Sequence, residues 1–93
     1  MSIGCRRALM MNIDREWLRM VRDGRKLLDD LPAMIETVAD IRDRFAIKRQ
    51  FAKSAERFKE AIDSGCNPIF SYGELAGLFC LIEELPSRHE AAQ

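Results

Sequence analysis

Residues Phe70–Leu85 read FSYGELAGLFCLIEEL, and the fold turns on how this stretch is interpreted. The large apolar residues Tyr72, Leu75, Leu78, Phe79, Leu81, Ile82 and Leu85 are interleaved with small Ala76, Gly77 and Cys80, and only Glu74, Glu83 and Glu84 carry charge. On a helix these apolar residues fall on nearly every side. A surface helix keeps a polar face, so a helix apolar all round is expected to be buried, with the other helices wrapped around it. Ser71 and Glu74 stand in S-x-x-E spacing, which predicts a capping box, and Phe70 and Leu75 have the spacing of a hydrophobic staple. Pro86 sets the end, because proline lacks the amide donor and pushes Leu85 out of the α region. The stretch is too short for a membrane span, which needs about 20 apolar residues.

Upstream lies the clearest loop, Asp63-Ser64-Gly65-Cys66-Asn67-Pro68. Gly65 suits the position just past a helix, and Pro68 prevents early resumption. From Pro32 to Ser64 there is no glycine and no interior proline. Met34, Val38, Ile41 and Phe45 repeat in steps of 4, 3 and 4, as do Phe51, Ala55, Phe58 and Ile62, but Phe45 and Phe51 are six residues apart, not seven. The apolar face therefore jumps near Ala46–Gln50. One straight helix over this segment would be ~48 Å long, against roughly 32 Å across a compact chain of this size. A break or kink at residues 46–50 is expected; the alternative is a projecting helix that pairs with a second chain.

The first helix is expected to begin near Asn12, a good cap, with Asp14 and Glu16 in the first turn, where negative charge suits the helix dipole. Leu31-Pro32 should end it, because the residue before proline avoids the α region. Trp17, Val21, Gly24, Leu28 and Leu31 follow heptad steps. Gly24 costs ~1 kcal/mol against alanine inside a helix, which predicts either close approach of another helix or room for a bulky side chain. A tolerated weak point is the alternative. The organisation expected is a flexible basic lead over residues 1–11, one helical domain over 12–85 and a flexible polar tail over 86–93. The fold class is all-α: a small three- to four-helix bundle with a buried C-terminal helix and a kinked or broken long middle helix.

Charge is balanced in sum but not in position. Fifteen Lys and Arg face fifteen Asp and Glu. Residues 1–59 hold 14 of the basic and 9 of the acidic residues, and residues 60–93 hold 1 and 6, so each part is five charges from neutral with opposite sign. Either the two parts attract each other, within the fold or across a dimer, or a basic surface faces an acidic partner. Cys5, Cys66 and Cys80 are widely and irregularly spaced, unlike a disulfide framework. A reducing, cytoplasmic compartment is expected. Ala8–Met11 is too short for a signal-peptide core. The cysteines and His89 lack the close pairs of a structural zinc site. No nucleophile–base pair and no phosphate-binding loop is visible. No catalytic residue, cofactor or metal is assigned.

Two basic stripes remain. Arg15, Arg19, Arg22 and Lys26 fall within about 60° of one another at 100° per residue, opposite Trp17, Val21, Gly24 and Leu28. Like charges at this spacing cost ~0.2–0.5 kcal/mol per pair, relieved in part by Asp23, Asp29 and Asp30. The second stripe is Arg49, Lys53 and Arg57, with Glu56 and Glu60 placed to pair. A solvated face is the plain reading of both. The functional reading is a partner-binding face, since guanidinium groups grip carboxylates and phosphates in bidentate fashion. The expected function is therefore a non-enzymatic helical interaction protein (adaptor, inhibitor or small regulatory subunit) that binds an acidic macromolecular surface through a basic helix face. A small nucleic-acid-binding regulatory protein is the alternative. Membrane association is not expected, and a homodimer is.

Overall fold

A computed structural model describes the backbone of residues 2–88 and the side chains of residues 15–88. These residues form α1 (Ser2–Glu36), α2 (Ile41–Ser64) and α3 (Ile69–Glu84), each packed against the other two, with no strand among them. The all-α bundle expected from the sequence is present, with three helices. Trp17 of α1 donates its indole Nε1–H to the Cys66 carbonyl just before α3, at 3.0 Å. At the other end, Arg88 donates its backbone N–H to Thr37, just past α1. α1 and α3 therefore run in the same direction, and α2 runs against both.

α1 departs from expectation at both ends. It begins at Ser2 instead of near Asn12; between these positions only Gly4 weakens a helix, and no proline intervenes. The side chains of the expected basic lead lie outside the described residues. At the other end, α1 passes through Pro32 and stops at Glu36. An interior proline costs ~3 kcal/mol or more. The turns around it bury Leu31, Ile35 and Val38 to 1% exposure or less. At ~1.5–3 kcal/mol each, three such side chains outweigh the proline.

The break expected at residues 46–50 does not form; the corner between the first two helices, expected at Leu31-Pro32, lies instead at Thr37–Asp40. Thr37 Oγ1 closes α1 by donating to the Met34 carbonyl at 2.6 Å. Asp40 then caps α2, its Oδ1 accepting from the amides of Arg42 at 2.7 Å and Asp43 at 3.3 Å. α2 runs unbroken through residues 46–50. The jump in the apolar pattern there has another meaning. The face that α2 buries runs through Ile47, Phe51, Ser54, Ala55, Phe58 and Ile62, and the residues out of frame with it, Ile41 and Phe45, stay about two-thirds exposed. Gly65 ends α2 at φ 71°, in the left-handed region, with its own amide bonded to Ile62 and that of Cys66 to Ala61. This is the glycine-terminated exit that the loop predicted.

α3 starts at Ile69, behind Pro68, which offers no side-chain cap; the Ile69 amide donates instead to Asn67 Oδ1 at 3.1 Å. The capping box and staple do not form, because the earlier start places Ser71 inside the first turn. Ser71 is buried and donates its Oγ–H to the Pro68 carbonyl at 3.2 Å, while Phe70 is 88% exposed. One side of α3 is buried, through Ser71, Leu75, Leu78 and Ile82. The opposite side, with Gly73, Gly77, Cys80 and Leu81, is open. The helix is thus half-buried where full enclosure was expected. Leu85 ends it, as the following Pro86 requires. The next residues do not leave as a free tail. Pro86 accepts from the Ala39 amide at 3.0 Å, Arg88 N–H donates to the Thr37 carbonyl at 2.7 Å, and Val38 and Ser87 form an isolated antiparallel bridge. The rest of the expected tail, residues 89–93 with His89, lies outside the described residues.

The core centres on Phe58, fully buried beside Leu31, Ile35, Val38 and Leu75. Gly24 is what admits it. A Cβ at position 24 would overlap the Phe58 ring, with Cε1 at 2.5 Å and Cε2 at 2.9 Å. The glycine that weakens α1 is a seat for the largest buried side chain of α2.

Candidate functional site

The basic column of α1 follows from helical geometry. Val21, Gly24, Leu31 and Ile35 bury one side of the helix, so the residues half a turn away must face water. Arg15, Arg19, Arg22 and Lys26 are all exposed. Arg22 reaches its neighbour Asp23 at 3.4 Å, on the surface, with 77% of the arginine side chain exposed. Such a pair contributes little. Among the described residues, no carboxylate lies within ion-pair distance of Arg15, Arg19 or Lys26. The column therefore presents its positive charge outward, largely unneutralised.

The stripe on α2 is arranged differently. Arg49 and Lys53 are exposed, but Arg57 turns to α3, where its guanidinium lies 3.5 Å from Glu74 Oε2. Lys48 points to α1, with Nζ 2.7 Å from Glu36 Oε2. Nine residues separate Lys48 from Arg57, or half a turn in phase at 100° per residue, so the two mark opposite edges of α2. The stripe accordingly runs along the α3 edge of α2 and does not merge with the column on α1. The Lys48 ammonium, by hydrogen bond and by charge, holds the Glu36 carboxyl below the usual carboxylate range, with Arg44 and Arg88 adding to the effect.

Glu74 was expected in a cap and serves instead in a polar bridge between helices. Gln50 Nε2 donates to Ser54 Oγ at 2.9 Å, and Ser54 Oγ donates to Glu74 Oε1 at 3.1 Å. Ser54 is completely buried, and sequence reasoning missed it: a serine among phenylalanines carries no periodic signal. Two apolar exposures were also missed. Ile41 and Phe45 line a shallow groove of about 450 Å³ with Arg42, Ala46 and Arg49; the frame jump at residues 46–50 was their signal. The other is the open side of α3.

Among the described residues, no three of His, Cys, Asp and Glu are grouped to hold a metal ion. Cys66 and Cys80 are free and exposed. No helix of the described chain is long and apolar enough to cross a membrane. Compared with family models, curated proteins and solved structures, the chain matches none. A functional reading therefore rests on its own surfaces.

Proposed function

We propose that this chain is a non-enzymatic interaction protein, an adaptor, inhibitor or small regulatory subunit, that docks an acidic macromolecular surface onto α1. One observation carries the reading: Arg15, Arg19, Arg22 and Lys26 stack along the side of α1 opposite its buried residues, and their charge is almost unopposed among the described residues. Like charges at this spacing repel, and a facing row of carboxylates relieves that repulsion while offering bidentate partners to the arginines. Arg49 and Lys53 form a secondary contact, and Arg57 is shared with Glu74. The exposed free thiols of Cys66 and Cys80 favour a reducing, cytoplasmic setting.

The test is charge reversal. Arg19→Glu with Arg22→Glu should leave the helical circular dichroism unchanged and abolish binding to the partner captured by the unaltered chain. The pair Arg49→Glu and Lys53→Glu should weaken binding less. Equal capture by the Arg19/Arg22 variant rejects α1 as the docking face. Nucleic acid is the competing partner. It predicts retardation of DNA or RNA at low salt and a steep fall in affinity with salt, at a log–log slope of about −0.9 per phosphate neutralised. No retardation at low salt removes it.

A further inference from the structure

The open side of α3 has a composition that water does not favour. Ile69 is 54% exposed, Phe70 88% and Leu81 43%. Between them, Gly73, Gly77 and Cys80 are exposed on the same side, and a Cβ added at either glycine would meet nothing within 4 Å. Glu83 and Glu84 place charge at the C-terminal end of the helix, and Glu74, paired with Arg57, borders the face beside Phe70 and Leu81. A contiguous apolar face of this kind marks an interaction surface. It holds no basic residue, so it is not suited to the acidic partner proposed for α1 or to an anionic lipid surface.

We infer that a second copy of the chain covers this face, α3 lying antiparallel on α3 about a twofold axis. Three features of the helix make it complementary to itself. First, bulk stands at the ends and small residues at the centre. Crossing helices diverge away from their closest point, so backbones approach at Gly73 and Gly77 while Phe70 of one copy meets Leu81 of the other. Second, the twofold makes this happen at both ends at once. Third, the charges match. Glu83 and Glu84 sit at the negative end of their own helix, where they are unfavourable, and the antiparallel register carries them to the positive N-terminus of the other α3, where the Ile69 amide is already held by Asn67 Oδ1. A parallel arrangement would stack the acidic ends on each other. With one short helix per copy in contact, the interface is small, so the dimer should be weak and concentration-dependent.

This inference is independent of the basic face of α1. Sedimentation equilibrium of the full chain across micromolar to millimolar concentration tests it. The unaltered chain should pass from monomer to dimer. Phe70→Glu removes an aromatic anchor that the monomer leaves exposed, and should raise the dimer dissociation constant by roughly thirtyfold or more. Gly77→Gln fills open space in the monomer and holds the two backbones apart; it should weaken the dimer with no loss of helical signal. A chain that remains monomeric throughout overturns the inference. So does a dimer that survives both substitutions, which would place the contact elsewhere, for instance at Ile41 and Phe45.

Discussion

Replacing Gly24 by alanine tests the packing of α1 on α2 through the sign of a single methyl group. In a helix interior with free space, glycine to alanine stabilises by ~1 kcal/mol. Here the new Cβ overlaps the tip of the Phe58 ring, 2.5 Å from Cε1 and 2.9 Å from Cε2. Phe58 is 0% exposed and packed among core residues, so the ring has nowhere to retreat. Overpacking of this kind costs typically ~1–3 kcal/mol. Set against the propensity gain, the expected net result is destabilisation of up to about 2 kcal/mol, and each 1 kcal/mol lowers Tm by roughly 4–8 °C for a domain of this size. Urea denaturation at fixed protein concentration, followed by Trp17 fluorescence, gives the value. Phe58→Leu should destabilise alone, through lost contacts, but the smaller leucine should accommodate Gly24→Ala better than phenylalanine does. A double-mutant cycle should then show a coupling of ~0.5–3 kcal/mol. Stabilisation by Gly24→Ala, or strict additivity with Phe58→Leu, would refute the seat.

Ser54→Ala removes the hydroxyl that joins Gln50 to Glu74. Glu74 keeps Arg57 and some water, so the loss should be about 1 kcal/mol, and Glu74→Gln should couple to it in a denaturation cycle; independent effects would deny the bridge. Lys48→Met should return the Glu36 carboxyl toward its usual value, read by NMR titration. Because the folded carboxyl is held low, its contribution to stability is present above the unfolded value and fades as pH falls through the folded one. The unaltered chain should therefore lose more stability than Lys48→Met on acidification below about pH 4.5, and equal acid sensitivity would contradict the ion pair. Truncation after Leu85 deletes the bonds from Pro86 and Arg88 to Ala39 and Thr37. It should cost ~1–3 kcal/mol and accelerate hydrogen exchange at the Ala39 amide; unchanged exchange would mean that this clasp is open in solution.

The helical class, the loop at Gly65, the end of α3 and the role of Gly24 are legible in the sequence because each is a local signal: periodicity, a glycine, a proline. Where the chain departs from its signals, a contact remote in sequence decides. Pro32 looks like a stop but sits beside Leu31 and Ile35, whose burial depends on helices that a local reading does not contain. Ser71 and Glu74 fit a capping box, yet Glu74 finds Ser54 across the bundle, 20 residues away. The frame jump between Phe45 and Phe51 is a true signal, but it marks apolar residues left outside the core, not a broken helix. Asp40, the cap that starts α2, is a weaker mark than that jump, which points to a break some ten residues later. The basic column is the easiest part of the site to read, since a stripe opposite a heptad seam faces water whatever the details of packing. The open face of α3 is the hardest, because an apolar residue on a helix does not say whether its cover comes from its own chain or from another.

The most direct test of the docking face is zero-length carbodiimide cross-linking in native extract, which joins a lysine only to a carboxylate in contact with it. If α1 is the docking face, mass spectrometry of the purified complex should find Lys26 joined to an aspartate or glutamate of another protein, and Arg19→Glu with Arg22→Glu should remove that link. Cross-links confined to Lys53 on α2, with Lys26 unmodified, would contradict it.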